Sequence, residues 1–214
     1  MNDGRQAMVD AMRALERQGL NYSTAGNIGL RVADGLLVTP SGISPAQLEA
    51  DDIVLLDDTG RPAPGQRRPT SEWRIHVDVL SARPDVHAVV HTHSPEATAA
   101  ACLRRPLPAI HYAIARTGSA VVPCADYATF GTAELSANVL AALGTGHATL
   151  IANHGVVALG ADLDAAMALA ADVEWLARVR RLAVAHGEPL HVLPDDEIAR
   201  VAERFQTYGQ ARSP

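Results

Sequence analysis

His91-Thr92-His93 places two imidazoles two residues apart. They follow the apolar run Val86-His87-Ala88-Val89-Val90, which reads as a short buried strand, and precede Ser94-Pro95-Glu96, a helix-start signal. Side chains at i and i+2 of a strand share a face, so both rings can converge where the strand gives way to the helix, a beginning for a zinc site. A bare His-x-His is as often an accident, so a third ligand and some chemistry must come from elsewhere. His154 interrupts two apolar strand-like runs, residues 148–152 and 156–159, at Asn153-His154-Gly155. The glycine lets the backbone bend sharply there, so the ring can project from a sheet edge. Taken alone, it reads more readily as a turn histidine; added to His91 and His93 it completes the set of an open three-histidine site. The other histidines, among them His76, His87, His147, His186 and His191, sit in predicted helices, a strand interior or loop edges and need no special role.

Glu72 falls in the first turn of a helix opened by Thr70-Ser71, where a carboxylate complements the helix dipole, and that role alone would account for it. Three polar stretches, Gly26-Asn27, Ser41-Gly42 and Thr70-Ser71, each read as a turn or cap. Together their amides and hydroxyls could form a neutral cradle for a phosphate.

All 18 basic residues are arginine, and the chain has no lysine. Schiff-base chemistry through a lysine amine is excluded, as is a Gly-Lys-Ser/Thr phosphate loop. A carbanion would have to be stabilised by a metal, an oxyanion hole or an organic cofactor. The net charge of −6, with no long basic run, argues against a nucleic-acid partner. Cys102 and Cys124 form no Cys-x-x-Cys pair and indicate neither a disulfide scaffold nor a zinc ribbon. At 214 residues and 48% hydrophobic, residues 1–214 are expected to form one domain. No apolar stretch approaches a membrane span, and Met1-Asn2-Asp3-Gly4-Arg5 leads into no signal-peptide core, so no membrane association and a cytoplasmic location are expected.

The elements that must position these residues alternate. Helical spacing predicts a helix from about Asn2 to Gln18, capped by Gly19-Leu20. Strands are expected at residues 30–32 and 36–39 around a turn at Asp34-Gly35, and at 53–56, with a short helical turn from Ser44-Pro45 between them. A helix opened by Thr70-Ser71-Glu72 ends before Pro84, and one capped by Ser94 runs to about Cys102. Residues 106–108 read as a turn, and 110–115 and 120–122 as strands. Thr132 caps a helix to about Leu143 with Gly144 beyond its end, and helices from Asp162 to about His186 and from Pro194 to about Phe205 close the chain. The expected fold is α/β, a three-layer α/β/α arrangement whose central sheet is mixed and largely antiparallel.

The chain resembles the class II aldolase/adducin family along nearly its whole length. The resemblance is carried by Gly19-Leu20-Asn21, Thr24-Ala25-Gly26-Asn27, Thr39-Pro40-Ser41-Gly42-Ile43, Ser71-Glu72-Trp73, Val89-Val90-His91-Thr92-His93, Pro123-Cys124-Ala125, His154-Gly155 and Thr207-Tyr208-Gly209. Pro108-Ala109-Ile110-His111-Tyr112 and Tyr127-Ala128-Thr129-Phe130-Gly131-Thr132 resemble the aldolase branch more particularly. The resemblance implies one Zn2+ per subunit on His91, His93 and His154, with Glu72 as the base. It implies that Asn27, Ser41, Gly42, Thr70 and Ser71 hold a substrate phosphate. Ser41 and Thr70 exchange Ser and Thr relative to the family pattern, but each keeps a hydroxyl. Tyr112 would protonate the aldehyde oxygen, and Phe130 and Tyr208 would shape the aldehyde end. Family members are usually homotetramers with the site at a subunit interface, so Tyr112 is expected to serve a neighbour's site.

The implied reaction cleaves a ketose 1-phosphate, with L-fuculose 1-phosphate the leading candidate, to dihydroxyacetone phosphate and an aldehyde through an enediolate. A 5-deoxy sugar phosphate is a further candidate. Three alternatives stay open: a ribulose-5-phosphate 4-epimerase, a methylthioribulose-1-phosphate dehydratase and a non-catalytic adducin-like binding domain. The short run from His111 to Gly131 lacks an added acidic insert and favours the aldolase branch over the epimerase.

Overall fold

The computed structural model describes residues 4–57 and 59–208, so Asn2 and Gly209, each part of an expectation above, lie outside the described residues. Seven strands form one sheet in the order β3-β2-β1-β4-β9-β8-β7. They are β1 (Asn27–Val32), β2 (Gly35–Val38), β3 (Val54–Leu56), β4 (Ala88–Thr92), β7 (Cys124–Ala125), β8 (Ala148–Ile151) and β9 (Gly155–Gly160). Every neighbouring pair is antiparallel except β7 with β8, which makes the sheet mixed and largely antiparallel. A two-stranded ribbon of β5 (Leu107–Pro108) and β6 (Val121–Val122) stands apart from it.

The period-two alternation of the strands sorts side chains between two helical layers. Ile28, Ala88, Val90, Leu150, Val156 and Ala158 face α1 (Arg5–Arg17), α3 (Pro95–Cys102) and α5 (Leu163–Val184). A 3-10 helix, Tyr112–Thr117, brings α6 (Asp195–Phe205) into the same layer. Leu36, Val38, Val54, Val89, Val157 and Leu159 face α2 (Trp73–Ala82) and α4 (Ala133–Leu143). β4 and β9 are buried along their whole length, as strands covered on both faces must be. His91 lies two residues beyond Val89 and shares its face, so the sheet aims it at the α2 layer.

The register fixes what stands beside it. Asn27 is opposite His91 across β1 and β4, and Val157 is opposite His91 across β4 and β9. β1 begins at Asn27, three residues before the expected strand, because Asn27 and Gly29 pair into β4 despite their polar or small side chains.

Other expectations need correction. Residues 110–115 are not a strand but lead into the 3-10 helix, whose first turn is closed by the His111 Nδ1 accepting from the Ala113 N–H at 3.2 Å and whose end is Gly118 at φ 72°. Residues 107–108 form a strand where a turn was expected. Ser94 occupies the N-cap position of α3 without capping it. The α3 amides of Glu96 and Ala97 instead donate to Glu174 of α5, at 3.0 and 2.8 Å. A carboxylate across two free amides at a helix start is worth about 0.5–2 kcal/mol. Glu174→Ala should therefore lower the thermal midpoint by a few degrees, about 2 to 5 °C for a chain of this size. A calorimetric scan showing no shift would contradict that assignment.

Candidate metal centre and active site

His91 is the last residue of β4 on the face toward α2, His93 follows the strand end, and His154 sits on the β8–β9 turn. Their ring centroids are 4.8, 4.9 and 4.9 Å apart, with planes inclined at 72° to 88° to one another. Glu72, at the N-cap position of α2, reaches into the same cluster, its Oε2 3.2 Å from His91 Nε2 and its Oε1 3.3 Å from His154 Nε2. One ligand atom from each of the four residues lies within 4.8 Å of the others. Glu72 stands at the N-cap of α2 and not within its first turn, and its side chain makes no capping hydrogen bond.

Backbone geometry explains the tight approach. A Cβ at residue 155 would lie 2.3 Å from the Thr92 carbonyl oxygen and 3.3 Å from both the His91 and His93 rings, so only glycine fits. Gly155 is therefore required by space, while the sharp bend belongs to Asn153, at φ 54°. The Asn153 side chain is held by Arg104 Nε at 2.6 Å.

The donor set fits a divalent cation. His91 Nδ1 lies 2.8 Å from the Val156 carbonyl oxygen, which fixes the proton there and turns the Nε2 lone pair inward. That lone pair meets His93 Nε2 at 3.0 Å and the Glu72 carboxylate, an arrangement of acceptors that a proton or a metal must bridge. Glu72 Oε1 is buried without a hydrogen-bond partner. Three imidazoles suit a zinc-like ion that keeps a fourth position for substrate, with the Glu72 carboxylate beside it.

With no metal bound, burial disfavours charge on both Glu72 and His91, but each stabilises the other. The His91 charge and hydrogen bond, with His154 and Asn27, hold the Glu72 carboxyl well below the usual range. Glu72 raises His91 in turn. Burial and the neighbouring His91 charge push His93 and His154 down from 6.5 to about 4. Between those values the unfolded chain takes up protons that the folded site refuses, so stability falls as pH falls through that window. His91 acts in the opposite sense, but His76, pushed down to about 3 by burial, adds to the two. Chelator-stripped protein should therefore show a lower urea midpoint at pH 5 than at pH 7; an equal or higher midpoint would contradict these environments.

A cavity of about 420 Å3 opens beside the cluster. Its walls include Asn27, Ser41, Gly42, Thr70, Ser71, Phe130 and His154, so the three polar stretches separated in sequence meet around one space. No arginine is among the described residues lining it. Tyr112 and Tyr208 do not line it. Both are exposed and belong to an aromatic row in which Tyr112 stacks on Phe205 and Phe205 meets Tyr208 edge to face.

Two residues near the site carry roles that reading the sequence did not assign. Asn21 accepts the His93 backbone N–H at 3.1 Å. His76, expected to need nothing special, is fully buried on α2 with its Nε2 2.6 Å from Asn27 Oδ1. Burial, more than neighbouring charges, pushes it down to about 3, so it is neutral. Asn27 Nδ2 donates to Glu72 Oε2 at 2.9 Å, which leaves only the second amide hydrogen for the phosphate expected of it. The Glu72-to-His76 spacing of one helical turn was the available signal.

Comparison with known proteins agrees with this geometry. The profile of the family described as Class II Aldolase and Adducin N-terminal domain matches residues 6–180. The 5-methylthioribulose-1-phosphate/5-deoxyribulose-1-phosphate aldolase of Rhodospirillum rubrum is 50% identical over 205 residues, 96% of this chain and 92% of the relative. The L-fuculose phosphate aldolase of Escherichia coli K12 is 46% identical over 202 residues, 94% of each chain. A solved L-fuculose 1-phosphate aldolase superposes with a TM-score of 0.92 at 38% identity, covering 96% of this chain and 97% of its own.

Proposed function

The chain belongs to the family of class II aldolases and adducin N-terminal domains, and from that premise we propose that it is a zinc-dependent aldolase cleaving a ketose 1-phosphate. The observation that carries this reading is the convergence of His91, His93, His154 and Glu72 beside a cavity lined by hydroxyls and amides.

His91, His93 and His154 would hold the metal, one per subunit. When bound, it supplies Lewis-acid stabilisation of the negative charge that develops on the substrate carbonyl oxygen, the role that a lysine Schiff base fills in other aldolases. The hydroxyls of Ser41, Thr70 and Ser71, the Gly42 backbone and the free Asn27 N–H would hold the phosphate. This cradle lacks a fixed cation, so it binds through directed hydrogen bonds.

In cleavage, Tyr112 acting as its phenolate takes the C4 hydroxyl proton, the C3–C4 bond breaks, and its electron pair becomes the C2–C3 double bond as charge passes to the carbonyl oxygen. Glu72, which has taken up a proton from solvent, gives it to C3 to form dihydroxyacetone phosphate, and Tyr112 releases its proton to solvent, so both groups are reset. In condensation Glu72 removes that proton, Oε1 being the oxygen free of hydrogen bonds. Tyr112 and Tyr208 stand away from this chain's cavity, which supports their service to a neighbouring subunit, with Phe130 on the cavity wall shaping the aldehyde end. We place the catalytic unit in a homotetramer of single-domain subunits in the cytoplasm; no helix among the described residues is long and apolar enough to cross a membrane.

L-Fuculose 1-phosphate would yield L-lactaldehyde as the second product. The 50% identity to the Rhodospirillum rubrum aldolase favours a second substrate reading, a 5-deoxy- or 5-methylthio-pentulose 1-phosphate, which would yield acetaldehyde or (methylthio)acetaldehyde instead. Zinc-loaded protein offered L-fuculose 1-phosphate, 5-deoxyribulose 1-phosphate and 5-methylthioribulose 1-phosphate should release dihydroxyacetone phosphate from at least one. Release from none, or recovery of an epimer or a dehydrated sugar in its place, would overturn the reading.

A further inference from the structure

The cluster has a directional support behind it. Asn27 Nδ2 donates to the Glu72 carboxylate, with Oε2 at 2.9 Å, so the amide oxygen points the other way. Asn27 Oδ1 then faces His76 Nε2 at 2.6 Å and can be satisfied only by an N–H. His76 is fully buried, and its Nδ1 has no partner. Only one arrangement gives both contacts a donor and an acceptor: a neutral His76 with its proton on Nε2, the Asn27 oxygen toward it, and an Asn27 amide hydrogen toward Glu72. Turning the amide over would set its oxygen against the carboxylate.

The fold makes room for this ring deliberately. Gly29 of β1 lies directly beneath it, and a Cβ there would stand 2.6 Å from His76 Cγ and Nδ1. His76 is one helical turn beyond Glu72 on α2, while Asn27 is on β1, so the three residues tie the helix start to the strand opposite His91.

We propose that His76 is a positioning residue for the reaction: through its Nε2–H it locks the Asn27 amide, which holds Glu72 Oε2 and so leaves Oε1, free of hydrogen bonds, for the substrate carbon. This rests on the reading of Glu72 as the base. A ring that merely filled space would be replaced by phenylalanine with little effect on turnover, whereas a donor would not.

The test uses the full-length, zinc-loaded chain and whichever ketose 1-phosphate the wild type cleaves. His76→Phe should lower kcat about 10- to 100-fold, the usual cost of removing a supporting partner, with KM changed less than about threefold and zinc still bound. His76→Gln, which keeps an N–H donor, should recover most of that loss. A phenylalanine variant with wild-type kcat, or a glutamine variant no better than phenylalanine, would overturn the proposal. If the phenylalanine variant does not fold, nitrogen-15 spectra of the histidines in wild-type protein decide the matter: His76 should be neutral with its proton on Nε2, and a proton on Nδ1 would overturn it. An inactive wild type would sink the aldolase reading, while the tautomer would still be decided by that spectrum.

Discussion

Glu72→Gln is expected to leave the protein folded and metal-loaded while lowering turnover by about 10² to 10⁴-fold, the range for loss of a positioned general base. Glutamine has nearly the shape of glutamate and can still offer an oxygen to the Asn27 amide, now bonded at 2.9 Å. Its amide nitrogen cannot accept the carbon-bound proton. The three imidazoles are untouched, so bound zinc, counted by atomic emission, should stay near one per chain. Glu72 is also buried, so nothing from solvent can readily stand in for it. Turnover within about threefold of wild type would remove Glu72 from the base role and leave it a candidate ligand only.

His154→Ala should separate metal binding from folding. His154 lies on a turn, and its ring approaches His91, His93 and Glu72. Removing it deletes one of three imidazoles, and even supporting partners of a metal ligand are worth about 10- to 100-fold in affinity, so the loss here should exceed about 100-fold. Turnover should fall with it and return only partly at high zinc. His147→Ala, at a half-exposed position outside the cluster, serves as the control and should bind zinc normally. Competition with a coloured chelator measures both. Unchanged zinc affinity in His154→Ala would show that the three rings do not act as one site.

The sheet and its helical layers were readable because long apolar runs and clear caps specify them: Thr132 accepts from the Leu135 N–H and Asp162 from the Ala165 N–H, as their types predict. The strand expected at residues 110–115 failed because alternating small and apolar residues suit a strand equally well, and the deciding interaction is the His111 ring turning back on its own backbone. Within the site, the His91 and His93 pair was legible from strand period alone. Its union with His154 and Glu72 was not, since that depends on which strands become neighbours; family resemblance supplied it, and the structure brings the four together. Asn27 was legible as polar at a turn, but not as the link between Glu72 and His76, because that link crosses from a strand to a helix. Tyr112 and Tyr208 stand outside the cavity, and their assignment to a neighbouring subunit remains part of the proposal.

The central claim is that Glu72, beside a metal on three histidines, moves the proton at C3 of dihydroxyacetone phosphate. Its most direct test needs no aldehyde and no knowledge of the sugar. Zinc-loaded protein is incubated with dihydroxyacetone phosphate in deuterium oxide and the hydroxymethyl protons are followed by NMR. The account predicts stereospecific exchange of one of the two protons, abolished by chelation and by Glu72→Gln; exchange that survives either treatment, or none in the zinc-loaded wild type, would contradict it.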